Sequence, residues 1–128
     1  MPSPVLRIIF VAVLALGVGL HTYIAVFQSA RSPDPFSRWL LAWSCVPYVT
    51  AFVLALLAKN ALVGVVAGGL VLLVDAWTFH DVFIQPTGST AALALLWMPL
   101  WNLILVVPIG AGAAWLWLST HSGHHRAP

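Results

Sequence analysis

Two residues capable of acid–base chemistry lie inside long apolar segments, Asp75 in VLLVDAWTF and His21 in VGLHTYIAV. An ionisable side chain within a membrane is costly unless it is paired, hydrated or protonated. Counting about 1.5 Å of helix per residue puts both at a similar depth, together with Ser44 and Tyr48. Asn102 lies slightly deeper in the last apolar segment. We therefore predict a polar intramembrane layer of His21, Ser44 or Tyr48, and Asp75, which Asn102 can join.

Two chemistries fit this layer. In the structural interpretation, His21 or Tyr48 donates a hydrogen bond to Asp75 and fixes the register of the helices. Each such bond contributes about 0.6 kcal/mol of stability on average. In the functional interpretation, Asp75 and His21 exchange protons or hold a cation, as membrane carboxylates and histidines do in relays. The residue types are compatible with both.

The five histidines suggest metal or haem ligation as an alternative. Imidazole nitrogens ligate haem iron and divalent metals, and His21 and His80 lie near the same end of two apolar segments. We expect no cofactor, because such patterns recur by chance, but a haem or divalent metal stays open as an alternative. The candidate ligands are His21, His80, His121, His124 and His125.

Composition excludes most soluble functions. Hydrophobic residues make up 62% of the 128 residues and charged residues 6%, against about 25% charged in ordinary soluble domains. The net charge of +2 comes from very few residues, so nucleic acid is not an expected partner. The sequence has no HExxH, GxSxG or phosphate-binding glycine loop, and its one cysteine is Cys45. An enzyme is therefore not expected.

Four apolar segments have the length that a spanning helix needs, about 20 residues. They cover residues 5–27, 39–58, 61–84 and 91–118, within a single membrane domain of residues 1–128 that ends in a flexible tail, 119–128. Asp34 can cap the second helix. Because the connections are short, neighbouring segments must be antiparallel. The predicted fold is an all-α integral membrane protein, a compact antiparallel four-helix transmembrane bundle.

Small residues mark the faces on which these helices pack. Gly64 and Gly68 form a GxxxG on the same face of the third helix as Asp75, and Gly110 and Ala114 form a similar pair on the fourth. Such residues let helix backbones approach closely in lipid. Whether the GxxxG face packs inside its own bundle or against another chain stays open.

Orientation follows the distribution of Lys and Arg. The N-terminus, the second loop and the tail carry Arg7, Lys59 and Arg126, whereas the first and third loops carry Arg31 and Arg38. Both termini are therefore predicted in the cytoplasm. The richness in Ala, Leu, Val and Trp suggests the inner membrane of a bacterium.

Three functions remain. The leading hypothesis is a non-enzymatic accessory, assembly or immunity-type protein that acts by binding another membrane protein. The first alternative is an oligomeric ion or small-solute transporter or channel that uses Asp75 and His21, in which the chain binds copies of itself. The second is a haem or metal protein that uses His21 and His80. In each case the lipid bilayer is the surrounding partner.

Overall fold

The structure, a computed structural model, describes residues 3–28, 35–85, 88 and 93–122. These residues form helices and contain no strand. Helix α1 is followed by a π-helical turn, Ile24–Gln28, and α3 by another, His80–Ile84; a third, Asn102–Val106, joins α4 to α5 as one continuous span. The α-helices are α1 Pro4–Tyr23, α2 Pro35–Leu57, α3 Ala61–Phe79, α4 Ala94–Trp101 and α5 Val107–Ser122.

The predicted all-α four-helix bundle is confirmed. Four helical segments are long and apolar enough to cross a membrane: Pro4–Phe27, Pro35–Leu57, Ala61–Ile84 and Ala94–His121. Large apolar side chains cover the exposed surface, as is expected where lipid rather than water surrounds the helices. By length and composition, the chain is a multi-pass membrane protein.

The second span begins earlier than the apolar pattern predicted. Helix α2 starts at Pro35, four residues before the predicted position 39. Proline suits the first turn of a helix because the first N–H groups have no partner within the helix. The expected cap, Asp34, lies outside the described residues, as do residues 91 and 92 at the predicted start of the fourth span.

The last helix also runs further than predicted. Helix α5 continues to Ser122, so residues 119–122 are helical and do not belong to a flexible tail. The hydroxyl of Ser119 donates to the carbonyl of Leu116 at 2.8 Å, and that of Thr120 to the carbonyl of Trp117 at 2.9 Å. Both hydroxyls thus bond back to carbonyls of the preceding helical turn. Residues 123–128 lie outside the described residues.

The connection between α2 and α3 is among the shortest that a helix hairpin allows. Lys59 adopts a left-handed conformation with φ 50°, and the N–H of Asn60 donates to the carbonyl of Ala55 at 3.1 Å. This is a Schellman-type end. The side chain of Asn60 then accepts from the N–H of Leu62 at 2.9 Å and caps α3. One residue thus closes one helix and opens the next, which forces α2 and α3 to lie antiparallel.

Helix α3 lies at the centre of the bundle, because it packs against α1, α2 and α5. Its buried residues therefore extend around more of the helix than the one packing face predicted from the sequence. Asp75 belongs to this buried set, together with Gly64 and Gly68 of the predicted packing face. The buried set is Ala61, Val63, Gly64, Ala67, Gly68, Val71, Asp75 and Thr78.

Close helix contacts occur at two of the predicted packing glycines. A Cβ added at Gly64 would lie 2.5 Å from the ring of Phe10 and 2.8 Å from Cβ of Ala55. A Cβ added at Gly110 would lie 2.7 Å from Cα of Ala67. Both glycines thus permit contacts that any larger residue would obstruct.

The other two predicted packing residues also face the bundle. A Cβ at Gly68 would approach a methyl group of Val13 to 3.2 Å, and Ala114 is 2% exposed. The GxxxG face of α3 therefore packs inside its own bundle.

The π-helical turn in the fourth span changes which residues face α3. Asn102 and Val107 are both 1% exposed, although they are five residues apart and a regular α-helix repeats every 3.6 residues. A π turn supplies that five-residue step. Beyond it, Gly110 and Ala114 continue the buried face at ordinary helical spacing. Pro108, which has no N–H to donate to the preceding turn, lies two residues after the end of the π turn.

We predict that Gly110→Ala lowers the free energy of unfolding by about 1–3 kcal/mol, because the new methyl group meets the backbone of α3. Gly112→Ala, on the same helix, is the matched control, since a Cβ there has no neighbour within 4 Å. The control should be neutral or more stable by about 0.4–1 kcal/mol. Reversible unfolding in mixed micelles measures both, and equal effects would contradict the close contact.

Candidate functional site

A buried carboxylate joins all four spans. Oδ2 of Asp75 on α3 lies 2.9 Å from Nε2 of His21 on α1 and accepts a hydrogen bond from the hydroxyl of Tyr48 on α2 at 2.7 Å. Oδ1 of Asp75 accepts from Nδ2 of Asn102, at the start of the π turn in the fourth span, at 2.7 Å. We call these four residues the Asp75 network.

The network is sealed from lipid. His21 is 8% exposed, Asp75 5%, and Tyr48 and Asn102 1% each. A carboxylate is costly in such surroundings unless donors satisfy its oxygens. Three donor groups, one from each neighbouring span, supply that satisfaction, and hydrogen bonds to a charged acceptor are stronger than neutral ones.

Packing around Tyr48 places its hydroxyl at the carboxylate. A Cβ on Gly17 would overlap the Tyr48 ring, so the glycine leaves the space that the ring fills. His21 meets the same ring edge-on, with centroids 5.9 Å apart. Within the bundle, Tyr48 also packs with the fully buried Val71 and Val107. The ring is therefore fixed by neighbours from α1, α3 and α5.

Asn102 leaves one hydrogen-bonding group unsatisfied. Its Oδ1 is the one buried side-chain nitrogen or oxygen, among the described residues, without a hydrogen-bond partner. Its amide N–H is directed at Asp75. In this orientation the amide of Asn102 donates to the carboxylate, and its own oxygen has no donor among the described residues.

The structure distinguishes the two α2 residues that the sequence left as alternatives. Tyr48 contacts Asp75, whereas Ser44, one turn earlier and 5% exposed, lines a small cavity beside His21. The other lining residues are Ile24, Ala25, Leu40, Leu41 and Leu95. Ser44 is thus next to the network without bonding to its carboxylate.

The proposed haem pair is not brought together. Nε2 of His21 is occupied by Asp75, and the cavity beside His21 is not lined by His80. His80 is exposed, with Nδ1 3.5 Å from Oδ1 of Asp81. Within the described part of the chain, no three His, Cys, Asp or Glu residues cluster as a metal site would require.

The candidate ligands near the C-terminus are only partly described. The ring of His121 stacks on that of Trp117, with centroids 4.0 Å apart, and its Nδ1 donates to the Trp117 carbonyl at 2.9 Å. His124 and His125 lie outside the described residues.

One polar contact between helices was not predicted. The indole N–H of Trp43 on α2 donates to the carbonyl of Leu96 on α4 at 3.0 Å. Pro99 lacks the N–H that would donate to the carbonyl of Leu95, one residue before Leu96, so the proline does not account for this bond. A tryptophan at matching depth is the signal that could have suggested it.

Comparison with protein-family models, curated proteins and solved structures finds no match to this chain. Its function therefore has to be inferred from the Asp75 network and the surface around it. The network can stabilise the ionised carboxylate of Asp75, fix the register of the four spans and allow His21 to exchange a proton with its surroundings.

We predict that Tyr48→Phe lowers the free energy of unfolding by about 0.6–1.7 kcal/mol, which are the average and the largest values for hydrogen bonds between membrane helices. The change removes only the hydroxyl that donates to Asp75. Tyr23→Phe is the matched control, because Tyr23 is 45% exposed and makes ring contacts that phenylalanine keeps. Unfolding in mixed micelles measures both variants, and a Tyr48→Phe protein as stable as the control would show that this bond does not hold the helices.

Proposed function

We propose that this protein is a non-enzymatic accessory, assembly or immunity-type membrane protein that acts by binding another membrane protein. The supporting observation is that Asp75 takes its partners from within its own bundle, one from each other span. The polar side chains of the network are thereby used internally. Recognition of a partner at that depth would depend on the shape of the apolar surface.

The lipid-facing surface offers large, rigid side chains for such recognition. Trp77 is 72% exposed and Trp97 56%, and the rings of Trp39 and Trp43 stack in parallel with centroids 6.1 Å apart. Aromatic side chains are common anchors in protein interfaces because they bury a large area with little loss of conformational freedom. Some of these indoles also suit the membrane–water boundary.

The groove between α3 and α5 is the place we propose for a partner helix. It is lined by Leu62, Val66, Ala113, Ala114 and Trp117. Helix association in lipid depends on small residues that permit close backbone approach. Ala113 is exposed in this groove, and the neighbouring Gly112 has open space around it.

An ion or small-solute transporter is the second candidate, and the buried pair of His21 and Asp75 is what favours it. The network is enclosed by its own bundle, however, and the space beside Gly64 of the GxxxG is filled by Phe10 and Ala55 of the same chain. A homo-oligomeric transporter would therefore need a different interface from the one that the GxxxG suggested. This requirement places transport second.

We further propose that the protein lies in a bacterial inner membrane with both termini in the cytoplasm. The proposal follows the small excess of basic residues on the side of the termini and of the loop between α2 and α3, which carries Lys59.

The partner proposal predicts that the full chain, extracted from its own membranes in mild detergent, forms a stoichiometric complex with a different polypeptide in native mass spectrometry. A photo-crosslinking residue at position 113 should capture that polypeptide, whereas one at position 8 should not, since Ile8 is 69% exposed on α1, which contributes no lining residue to the groove. Ala113→Trp should abolish the complex and Ile8→Trp should preserve it.

A homo-oligomer or a lone chain in the same spectrum would overturn the partner proposal. Solute flux in proteoliposomes would then test the transporter, with Asp75→Asn expected to abolish transport while the protein still folds. Unchanged flux in that variant would exclude a transport role for Asp75.

The proposed orientation predicts opposite labelling of two introduced cysteines by a membrane-impermeant maleimide. In a Cys45→Ser background, Gly88→Cys should react in intact spheroplasts, whereas Ala58→Cys should react only after permeabilisation. Both positions are exposed, and they lie at opposite ends of the third span. The reverse pattern would place the termini outside.

A further inference from the structure

We propose that His21 and Asp75 form a binding site for one proton, which reaches Nδ1 of His21 through the cavity beside it. The site is separate from the surface proposed to bind a partner, and it requires no transport. The inference rests on the direction of the hydrogen bonds, the accessibility of the imidazole nitrogens and the net charge that the bundle encloses.

The donors around Asp75 favour its anionic form. The hydroxyl of Tyr48 and the amide N–H of Asn102 point at different oxygens of the carboxylate. Both stabilise a carboxylate that carries no proton of its own. With Asp75 ionised, Nε2 of His21 must be the donor in their 2.9 Å contact. The proton between these two atoms is thus held on the imidazole.

The remaining ring nitrogen of His21 is then the atom that gains or loses a proton. Nδ1 lies on the other flank of the ring and makes no hydrogen bond within the described residues. His21 itself lines the cavity, and we take Nδ1 as the ring nitrogen that meets it.

The cavity has room for about one water molecule and is lined by His21 and by one hydroxyl-bearing residue, Ser44. A hydronium ion there transfers one proton to the lone pair of Nδ1 and leaves as water. The other lining residues are apolar: Ile24, Ala25, Leu40, Leu41 and Leu95. Of the pair, His21 lines the cavity and Asp75 does not.

The charge balance explains why the bundle binds this proton. When Asp75 is ionised and His21 is neutral, the pair carries a net charge of −1. Protonation of His21 makes the pair neutral, and an uncompensated buried charge is costly. The titratable groups that α2 contributes nearby are Tyr48, whose proton is held by Asp75, and the half-buried thiol of Cys45. The fourth span contributes only the uncharged amide of Asn102. His21 is therefore the group whose charge changes.

The test is ¹⁵N NMR of the full chain, labelled at histidine and embedded in lipid nanodiscs, across a pH series. His21→Gln assigns the His21 signals among the five histidines. We expect Nε2 to stay protonated throughout, while Nδ1 changes from a bare to a protonated nitrogen as the pH falls. In Asp75→Asn, the change at Nδ1 should move to a different pH, because the partner of His21 no longer carries a charge. Loss of the Nε2 proton, or an Nδ1 signal that ignores Asp75→Asn, would overturn the proposal.

The route of the proton is tested by filling the cavity. Ala25→Leu should slow the interconversion of the two His21 forms by about tenfold, because exchange then requires local opening of the bundle. Ala76→Leu makes the same change at an exposed position of α3 and is the matched control. Should Ala25→Leu fail to fold, Ser44→Val fills the cavity from α2. Unchanged exchange in the folded cavity variant would refute this route.

Discussion

The fold depends on a carboxylate that lies within the membrane-spanning region and has to be satisfied there. Asp75 is 5% exposed, so neither water nor lipid headgroups can stabilise its charge, and the cost of leaving it unpaired is several kcal/mol. Its hydrogen bonds come from His21, Tyr48 and Asn102, one on each of the other spans. Sliding any span along its axis would break one of these bonds. The carboxylate therefore fixes the register of the whole bundle, whatever partner or ligand the protein serves.

Close packing is what allows those donors to reach the carboxylate. The Tyr48 ring occupies the space left by Gly17, and Gly110 lets the fourth span approach the backbone of α3 at Ala67. Hydrophobic forces contribute little between helices in lipid, so such contacts and the hydrogen bonds have to act together. The π turn that begins at Asn102 is part of the same arrangement, since it allows the amide and the buried residues after it to face α3.

Much of this could be predicted from the sequence, because membrane thickness ties depth to residue number. Hydropathy gave the four spans, and depth grouped His21, Tyr48, Asp75 and Asn102 with Ser44. Rotation about each helix axis is not determined by depth. Ser44 and Tyr48 are one turn apart on the same face, so only the packed structure shows that the longer side chain reaches Asp75. The second buried face of α3 was missed because its alanine and valine residues are equally suited to lipid.

Asn102 indicates which charge state the network is built to hold. Turning its amide over would place Oδ1 where Nδ2 now lies, 2.7 Å from a carboxylate oxygen, and two such oxygens tolerate that distance only with a proton between them. The observed orientation avoids this repulsion but leaves the amide oxygen without a partner in the described residues. An unsatisfied buried acceptor costs about 1–3 kcal/mol, and a hydrogen bond to a charged group contributes about 1.5–3 kcal/mol. Turning the amide over would also leave one of its polar groups without a partner, so the bond to Asp75 decides the orientation, and an ionised carboxylate accepts that bond more strongly than a neutral acid. This orientation agrees with the proposal that the proton which neutralises the site is held on His21.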